Sequence, residues 1–122
     1  MDLDILATIG RVIVGLAFLV TGIRLFQARV PVAGLLGQKG VPFPSLVPSA
    51  GAALEVILGI LAIVGWALPA VFLAMAAFVV AATAMVHDFW RQTGPQRALE
   101  VNTVLAHSLI VGGLLVMAAY PW

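Results

Sequence analysis

The 122-residue sequence contains no cysteine, and charged residues make up only 9% of it. Without thiols the chain cannot form a disulfide or pass electrons through a dithiol, so redox chemistry would need a bound cofactor or another subunit. The net charge is only +1, and without a broad basic face we expect no nucleic-acid partner. No recognised metal-ligand spacing such as His-Glu-x-x-His occurs, and we predict no metal site.

Hydrophobic residues make up 63% of the chain, whereas a soluble domain is about half apolar. A helix that crosses a membrane needs about 20 mostly apolar residues. The sequence has four such stretches. They predict an all-α fold, an integral membrane four-helix bundle with antiparallel up-down spans, in a single transmembrane domain (residues 1–122). The predicted spans are residues 5–25, 46–65, 68–86 and 99–120.

Proline and glycine are concentrated between the first two predicted spans, in residues 31–48. Proline lacks a backbone donor and glycine tolerates unusual dihedral angles, so we predict a loop there. Within it, residues 32–36 could form a short apolar turn along the membrane surface. Only Trp66 and Ala67 join the second and third spans, which predicts a tight antiparallel hairpin.

Lysine and arginine are distributed unevenly among the connections. The first and third connections and their flanks carry Arg24, Arg29, Lys39, Arg91 and Arg97, whereas both termini and the second connection carry none. Positive residues stay on the cytoplasmic side of a membrane. We therefore predict that both long loops face the cytoplasm and that both termini lie on the opposite side.

Two ionisable residues, Arg11 and Glu55, lie well inside the predicted spans. Such groups are costly in a bilayer and usually turn toward the bundle interior to find partners. At about 1.5 Å per residue, the two lie at depths that their side chains nearly bridge. We predict an Arg11–Glu55 ion pair, either functional or serving only to fix helix register. In the alternative, Arg11 extends alone toward the membrane surface.

The fourth predicted span adds Asn102 and His107, which with Arg11 and Glu55 form a predicted polar cluster inside the membrane. Depth places His107 close to Glu55. Histidine titrates near neutral pH and both donates and accepts hydrogen bonds. The two side chains could therefore pass protons or bind a polar headgroup such as a quinone carbonyl. The alternative is a hydrogen-bonded core histidine without a function.

A second polar cluster is predicted near the cytoplasmic edge, from Arg24, His87, Asp88 and Glu100. Glu100 and His107 are seven residues apart and share one helical face. The simpler interpretation of His87 and Asp88 is an interfacial helix end, because the interface hydrates polar groups at little cost.

Alanines recur at helical spacing along the third predicted span. Small residues let a neighbouring helix approach closely in a bilayer. We predict that this alanine stripe packs against another helix, and its members are Ala70, Ala74, Ala77, Ala81 and Ala84.

Several short motifs follow one another in a distinctive order. The first span has an intramembrane arginine, two glycines and a basic residue before an aromatic one: Arg11, Gly15, Gly22, Arg24 and Phe26. Three further segments follow: Gly40-Val41-Pro42-Phe43-Pro44, Gly51-Ala52-Ala53-Leu54-Glu55 and Val86-His87-Asp88-Phe89-Trp90. In this order the motifs resemble the DoxX-like family of small four-span membrane proteins, over nearly the whole chain. Many members have a Lys-Asn pair where this sequence has Ala106-His107, so any role of that lysine is absent or has moved to His107.

The resemblance implies a membrane subunit of a quinone-linked respiratory oxidoreductase, in a bacterial-type cytoplasmic membrane. It implies a helix-walled quinone or proton site lined by Arg11, Glu55 and His107, with quinone as the expected cofactor. A larger protein complex or a homo-oligomer, together with membrane lipids, is the expected partner. Similar proteins act as assembly factors, so the alternative is a non-catalytic assembly or anchoring protein that docks a larger partner. The chain is expected to be an accessory or quinone-interacting subunit rather than a stand-alone enzyme.

Overall fold

The computed structural model describes residues 2–122, and all of their regular secondary structure is helical. The predicted all-α fold class is therefore confirmed. In chain order the elements are α1 (Leu3–Gln27), α2 (Arg29–Gln38), α3 (Val47–Val64), α4 (Leu68–Val86), a short 3₁₀ turn (Phe89–Arg91) and α5 (Gly94–Ala119).

Within residues 2–122, four helices are long and apolar enough to cross a membrane: α1, α3, α4 and α5. Their outward side chains are apolar too, and Leu109, Val116 and Ile13 are 78%, 71% and 60% exposed. Apolar surface this extensive is rare on a soluble monomer. A helix also satisfies its own backbone hydrogen bonds, as a bilayer requires. The chain is a multi-pass membrane protein.

The long helices pack as two pairs, α1 against α3 and α4 against α5, and the pairs meet mainly through α3 and α4. By contrast, α1 and α5 scarcely touch. The largest side chains that are almost fully buried in the core are Phe72 and Met75 of α4 and Leu114 of α5. One end of the bundle holds both termini and the α3–α4 turn. We call it the terminal end, and the opposite end, with the other connections, the loop end.

Glycines let α1 and α3 cross with their backbones in contact. A Cβ atom at Gly59 would lie 2.6 Å from the Gly15 carbonyl oxygen and 2.8 Å from the Leu19 backbone nitrogen. A Cβ atom at Gly22 would lie 2.9 Å from the Cβ atom of Glu55. Small residues at helix contacts give close packing in a bilayer, where no hydrophobic force draws helices together. This crossing sets Glu55 directly against α1.

The α3–α4 connection is the predicted tight hairpin. Gly65 ends α3 in the left-handed region with φ of +84°, which glycine adopts without a Cβ penalty. Its backbone N–H donates to the Leu61 carbonyl. Ala67 is also left-handed, and α4 starts at the next residue with Pro69 in its first turn, where no backbone donor is needed.

The predicted loop at residues 31–48 was wrong in its first part, because residues 29–38 form helix α2. Pro31 lies in the first turn of α2, where the missing N–H breaks no hydrogen bond. Leu36 is 2% exposed, so burial of this side chain stabilises the helix despite its glycines. In addition, α5 starts at Gly94 rather than near residue 99, with Pro95 in its first turn.

Candidate functional site

Glu55 is buried in the middle of the bundle and is bound by a hydroxyl group. Glu55 is only 8% exposed, and the Thr21 hydroxyl of α1 donates a 2.6 Å hydrogen bond to Glu55 Oε2. The close approach at Gly22, next to Thr21, brings the hydroxyl into range. The carboxyl group is therefore anchored to α1 through a neutral partner.

The predicted Arg11–Glu55 ion pair is not formed. Within residues 2–122 the close contacts between acidic and basic side chains are Lys39–Asp88 and His87–Glu100, and the second is an ion pair only when His87 is protonated. The Arg11 guanidinium instead lies against Gly65, in space that any larger residue would fill, and 5.5 Å from the Trp122 ring. The arginine stem extends toward the terminal end, and Arg11 Nε is buried there without a hydrogen-bond partner among the described residues. Arg11 is thus separate from the site around Glu55.

The C-terminal residues fold back over the terminal end. The Trp122 indole N–H donates to the Met117 carbonyl at 2.7 Å, and its ring lies 5.7 Å from the Phe72 ring. Tyr120 donates a hydrogen bond to the Asp4 carboxylate. That bond favours the protonated phenol and raises the pKa of Tyr120 above its usual value. These contacts join α5 to the start of α1 without forming part of the site.

His107 of α5 is held by a hydroxyl group of α4. Thr83 Oγ1 lies 2.7 Å from His107 Nδ1 and also donates to the Val79 carbonyl at 2.6 Å. A hydroxyl has one hydrogen, so with that hydrogen on Val79 the oxygen accepts the Nδ1 proton of His107. In this tautomer the other ring nitrogen, Nε2, is free to accept a proton.

His87, at the end of α4, pairs with Glu100 of α5. His87 Nδ1 and Glu100 Oε2 are 2.7 Å apart, and Gln96 donates to the other Glu100 oxygen at 3.1 Å. The His87 ring also meets the His107 ring edge to face, with centroids 5.3 Å apart. The seven-residue spacing of Glu100 and His107 thus does place both side chains against α4.

The other two members of the predicted edge cluster do not join this pair. Asp88 is buried and bound by Lys39, whose ammonium group lies 2.9 Å from Asp88 Oδ1. Lys39 also donates to the Val86 carbonyl at 2.6 Å, where it caps the end of α4. Arg24 is exposed and forms no ion pair. The edge cluster therefore divides into a His87–Glu100 pair and a Lys39–Asp88 pair.

A cleft of about 340 Å³ opens between α1 and α5, and residues of α3 and α4 line it as well. We call it the central cleft. Its walls are almost wholly apolar, and three polar side chains face it. It is lined by Ile13, Val14, Ala17, Phe18, Thr21, Glu55, Phe78, Val79, Ala82, His107 and Ile110. Ile13 and Ile110 at its mouth are 60% and 45% exposed, so the cleft opens toward lipid.

Two further cavities adjoin the residues of the central cleft. A cavity of about 350 Å³, which we call the outer cavity, lies on the other side of His107 and is also lined by Thr83, His87 and Trp90. Another, of about 380 Å³, lies near the loop end beneath Leu36 and shares Glu55 with the central cleft. Glu55 and His107 therefore each form a wall common to two cavities.

Asn102 does not belong to the predicted polar cluster. It is exposed and is not among the residues of the central cleft. Five positions separate it from His107, which turns it roughly 140° around the helix. The structure thus brings together Glu55 and His107, without Arg11 or Asn102.

Two residues that hold the site, Thr21 and Thr83, were not predicted from the sequence, nor was the contact of Lys39 with Asp88 beside it. The same depth argument that linked Glu55 to His107 would have found Thr21, which lies at a similar height on α1. A threonine inside a span usually bonds its own helix, as Thr83 does with the Val79 carbonyl. Because this local bond already satisfies the hydroxyl group, the sequence gives no sign that a threonine also contacts another helix.

The alanine stripe was expected to contact a neighbouring helix. Of its members only Ala74 packs partly on the core, and Ala70, Ala77, Ala81 and Ala84 are exposed. The buried face of α4 instead carries larger side chains, Val71, Phe72 and Met75 among them. The stripe therefore lies mostly on the exposed side of α4, and Ala74 is its member that packs on the core.

Comparison with known proteins agrees with the four-span architecture. The sequence model of the DoxX family matches residues 6–88, from the first turn of α1 to just beyond α4. That is more than half of the chain, and it includes Thr21, Glu55, Thr83 and His87, whereas His107 lies beyond it. No curated protein and no solved structure matches the chain. The chain belongs to the DoxX family.

Proposed function

We propose that this protein is a membrane subunit of a quinone-linked oxidoreductase and that the central cleft receives the quinone ring. The observation that carries the proposal is the cleft itself: apolar, open to lipid between α1 and α5, and ending on Glu55, Thr21 and His107. Its volume of about 340 Å³ falls within the range of about 300–1,000 Å³ usual for ligand pockets. Membership of the DoxX family supports a role beside a membrane oxidoreductase.

The polar groups of the cleft suit a ligand with carbonyl oxygens on an otherwise apolar ring. A protonated Glu55 or His107 donates a hydrogen bond to such an oxygen, and both groups exchange protons. The apolar walls match the remainder of the ring and its hydrocarbon tail, which leaves through the lipid-facing mouth. A quinone that takes up two electrons also takes up two protons. The electrons come from a partner subunit, because this chain has no cysteine or metal-ligand motif of its own.

The proposal includes a location and an orientation. Arg24, Arg29, Lys39, Arg91 and Arg97 all lie at the loop end or within two turns of it. By the positive-inside tendency, the loop end faces the cytoplasm of a bacterial-type inner membrane, and both termini lie on the other side. Protons taken up through the loop end would then come from the cytoplasm.

The alternative is a non-catalytic assembly or anchoring protein that docks a larger partner. The observation in its favour is the alanine stripe, four of whose five members are exposed. Small residues on a lipid-facing surface let a helix of another subunit approach closely. On this alternative a defined partner co-purifies and no redox ligand is bound.

The test is to purify the protein from native membranes in mild detergent and to identify bound quinones by mass spectrometry. The variant Ala17→Phe fills the central cleft, and Ala53→Phe places the same bulk in an apolar groove between α1 and α3 on the opposite surface. We expect quinone to co-purify with the wild type and with Ala53→Phe, and its content to fall at least tenfold in Ala17→Phe.

Equal quinone content in Ala17→Phe and Ala53→Phe would place the ligand outside the cleft. If no quinone co-purifies with the wild type, the anchoring alternative is favoured. Glu55→Gln separates structure from chemistry. A normal membrane yield with lost electron transfer to quinone supports a direct role of Glu55. A collapse in yield shows that the residue is structural.

A further inference from the structure

A line of polar side chains runs from the loop end of the bundle to the central cleft. It starts at Glu100, which lies 2.7 Å from His87 Nδ1. The His87 ring meets the His107 ring, with centroids 5.3 Å apart. His107 then lines the central cleft together with Glu55. Carboxyl and imidazole groups both exchange protons, and such groups are rare inside a bilayer.

His107 is the point at which the line enters the cleft. It forms part of the wall of the outer cavity, which His87 also lines, and part of the wall of the central cleft. The His107 ring therefore lies between the outer cavity and the central cleft. Its Nδ1 is held by Thr83, which fixes the ring between the two.

We infer that Glu100, His87 and His107 form a proton relay that supplies the central cleft from the loop end. The inference rests on the proposed function, since it takes the proton acceptor in the cleft to be a quinone carbonyl oxygen. It assigns His87 and Glu100, which do not line the cleft, a role in the same reaction. Glu55, on the opposite wall, is the other group that exchanges protons with the bound ring.

Each transfer along the relay exchanges one bond to hydrogen for another. The Glu100 carboxyl gives its proton to His87 Nδ1, and His87 releases the proton on its other ring nitrogen to His107. His107 then gives a proton to the carbonyl oxygen and returns to its neutral form. Because the two rings meet at 78°, transfer between them takes the rotation of one ring or a single bridging water. Before a second passage, the Glu100 carboxylate takes up a proton from the solution at the loop end. The His87 ring then turns or exchanges protons, so that its other ring nitrogen is protonated again. Two such passages, with two electrons from an external donor, convert a quinone to a quinol.

Within residues 2–122, no lysine or arginine side chain forms an ion pair with Glu100, His87 or His107. Lys39 and Asp88, beside His87, neutralise each other. Glu55 of α3 faces His107 across the cleft, and Gln96 holds the second oxygen of Glu100. Arg91 of the 3₁₀ turn is exposed, and Arg97 of α5 lies over the Phe89 ring rather than on Glu100.

The experiment uses the full chain reconstituted in a lipid film on an electrode, with ubiquinone-1 as the probe. The electrode supplies the electrons, so no partner protein is needed, and fast voltammetry measures the rate of proton-coupled reduction. Ubiquinone-1 affinity is measured separately. His87→Gln keeps a hydrogen-bonding side chain without a titrating ring, and Glu100→Gln removes the carboxylic acid. The matched control is Thr103→Val, between the two relay positions of α5, whose hydroxyl bonds only the Leu99 carbonyl.

We expect His87→Gln and Glu100→Gln to slow the reduction about tenfold or more while affinity stays within about twofold, and Thr103→Val to match the wild type. Added imidazole should restore the rate in His87→Gly, a rescue that a merely structural role would not give. Wild-type rates in both Gln variants, or no rescue, overturn the relay while the quinone site stands. If ubiquinone-1 does not bind the wild type, the proposed function fails and the relay fails with it.

Discussion

Replacing Gly59 with alanine tests the crossing on which the site depends. The added Cβ would lie 2.6 Å from the Gly15 carbonyl oxygen and 2.8 Å from the Leu19 nitrogen. The shorter distance is about 0.8 Å below the ~3.4 Å at which ordinary contact begins. Both neighbours are backbone atoms, which no rotamer change can move. The two helices must therefore separate by several tenths of an ångström.

The size of the effect follows from two opposing contributions. Overpacking a well-fitted contact costs about 1–3 kcal/mol. Alanine favours a helix over glycine by at most about 1 kcal/mol. We expect Gly59→Ala to lower the free energy of unfolding by about 1–2 kcal/mol. Separation of α1 from α3 would also lengthen the 2.6 Å Thr21–Glu55 hydrogen bond.

The assay is unfolding of the detergent-solubilised protein by increasing fractions of SDS, followed by circular dichroism. Gly113→Ala is the matched control, because a Cβ there would meet nothing within 4 Å. We expect Gly113→Ala to be as stable as the wild type or slightly more so. If Gly59→Ala is no less stable than Gly113→Ala, the close crossing of α1 and α3 is wrong.

Three further predictions concern the polar contacts. Thr21→Val should lower the free energy of unfolding by about 1–3 kcal/mol, because Glu55 loses its donor, and Thr21→Ser should restore most of it; the SDS assay measures both. Lys39→Met should speed hydrogen–deuterium exchange in residues 29–41, and adding Asp88→Asn should reverse part of that change; identical exchange in all forms would contradict the capping contact. Arg11→Met and Glu55→Gln should change stability additively within about 0.5 kcal/mol, whereas an ion pair would give a larger coupling.

The sequence predicted the spans well because each depends on one property, the length of an apolar run. The α3–α4 turn followed from the same runs, and Gly65 in the left-handed region ends α3 where the prediction placed it. Helix α2 was missed because Pro31 and two glycines argue against a helix, whereas burial of Leu36 favours it. Local preference alone does not include such a tertiary contact.

The sequence predicted how deep in the membrane the site residues lie, but not which helix each side chain faces. Counting residues gives the height of a side chain in the membrane, and it correctly set Glu55 near His107. It does not give the angle at which neighbouring helices face each other. Arg11 therefore reached Gly65 and Trp122 instead of Glu55. The Glu55 carboxyl group is bound by Thr21 instead, because the close crossing at the glycines brings the face of α1 that carries Thr21 against α3.

The pairing of α1 with α3, rather than with the segment that follows it, bears on how the chain is inserted. Helix α1 precedes α3 in the chain, so insertion in chain order places α1 in the bilayer before its packing partner. When α3 inserts with Glu55, the Thr21 hydroxyl of α1 lies at the same depth in the membrane and can donate to the carboxyl group. If the helices enter the bilayer in chain order, this carboxyl group, which is costly in hydrocarbon, meets its donor before the C-terminal pair is complete. On this order, the last two helices complete the wall of the cleft around a first half that is already assembled.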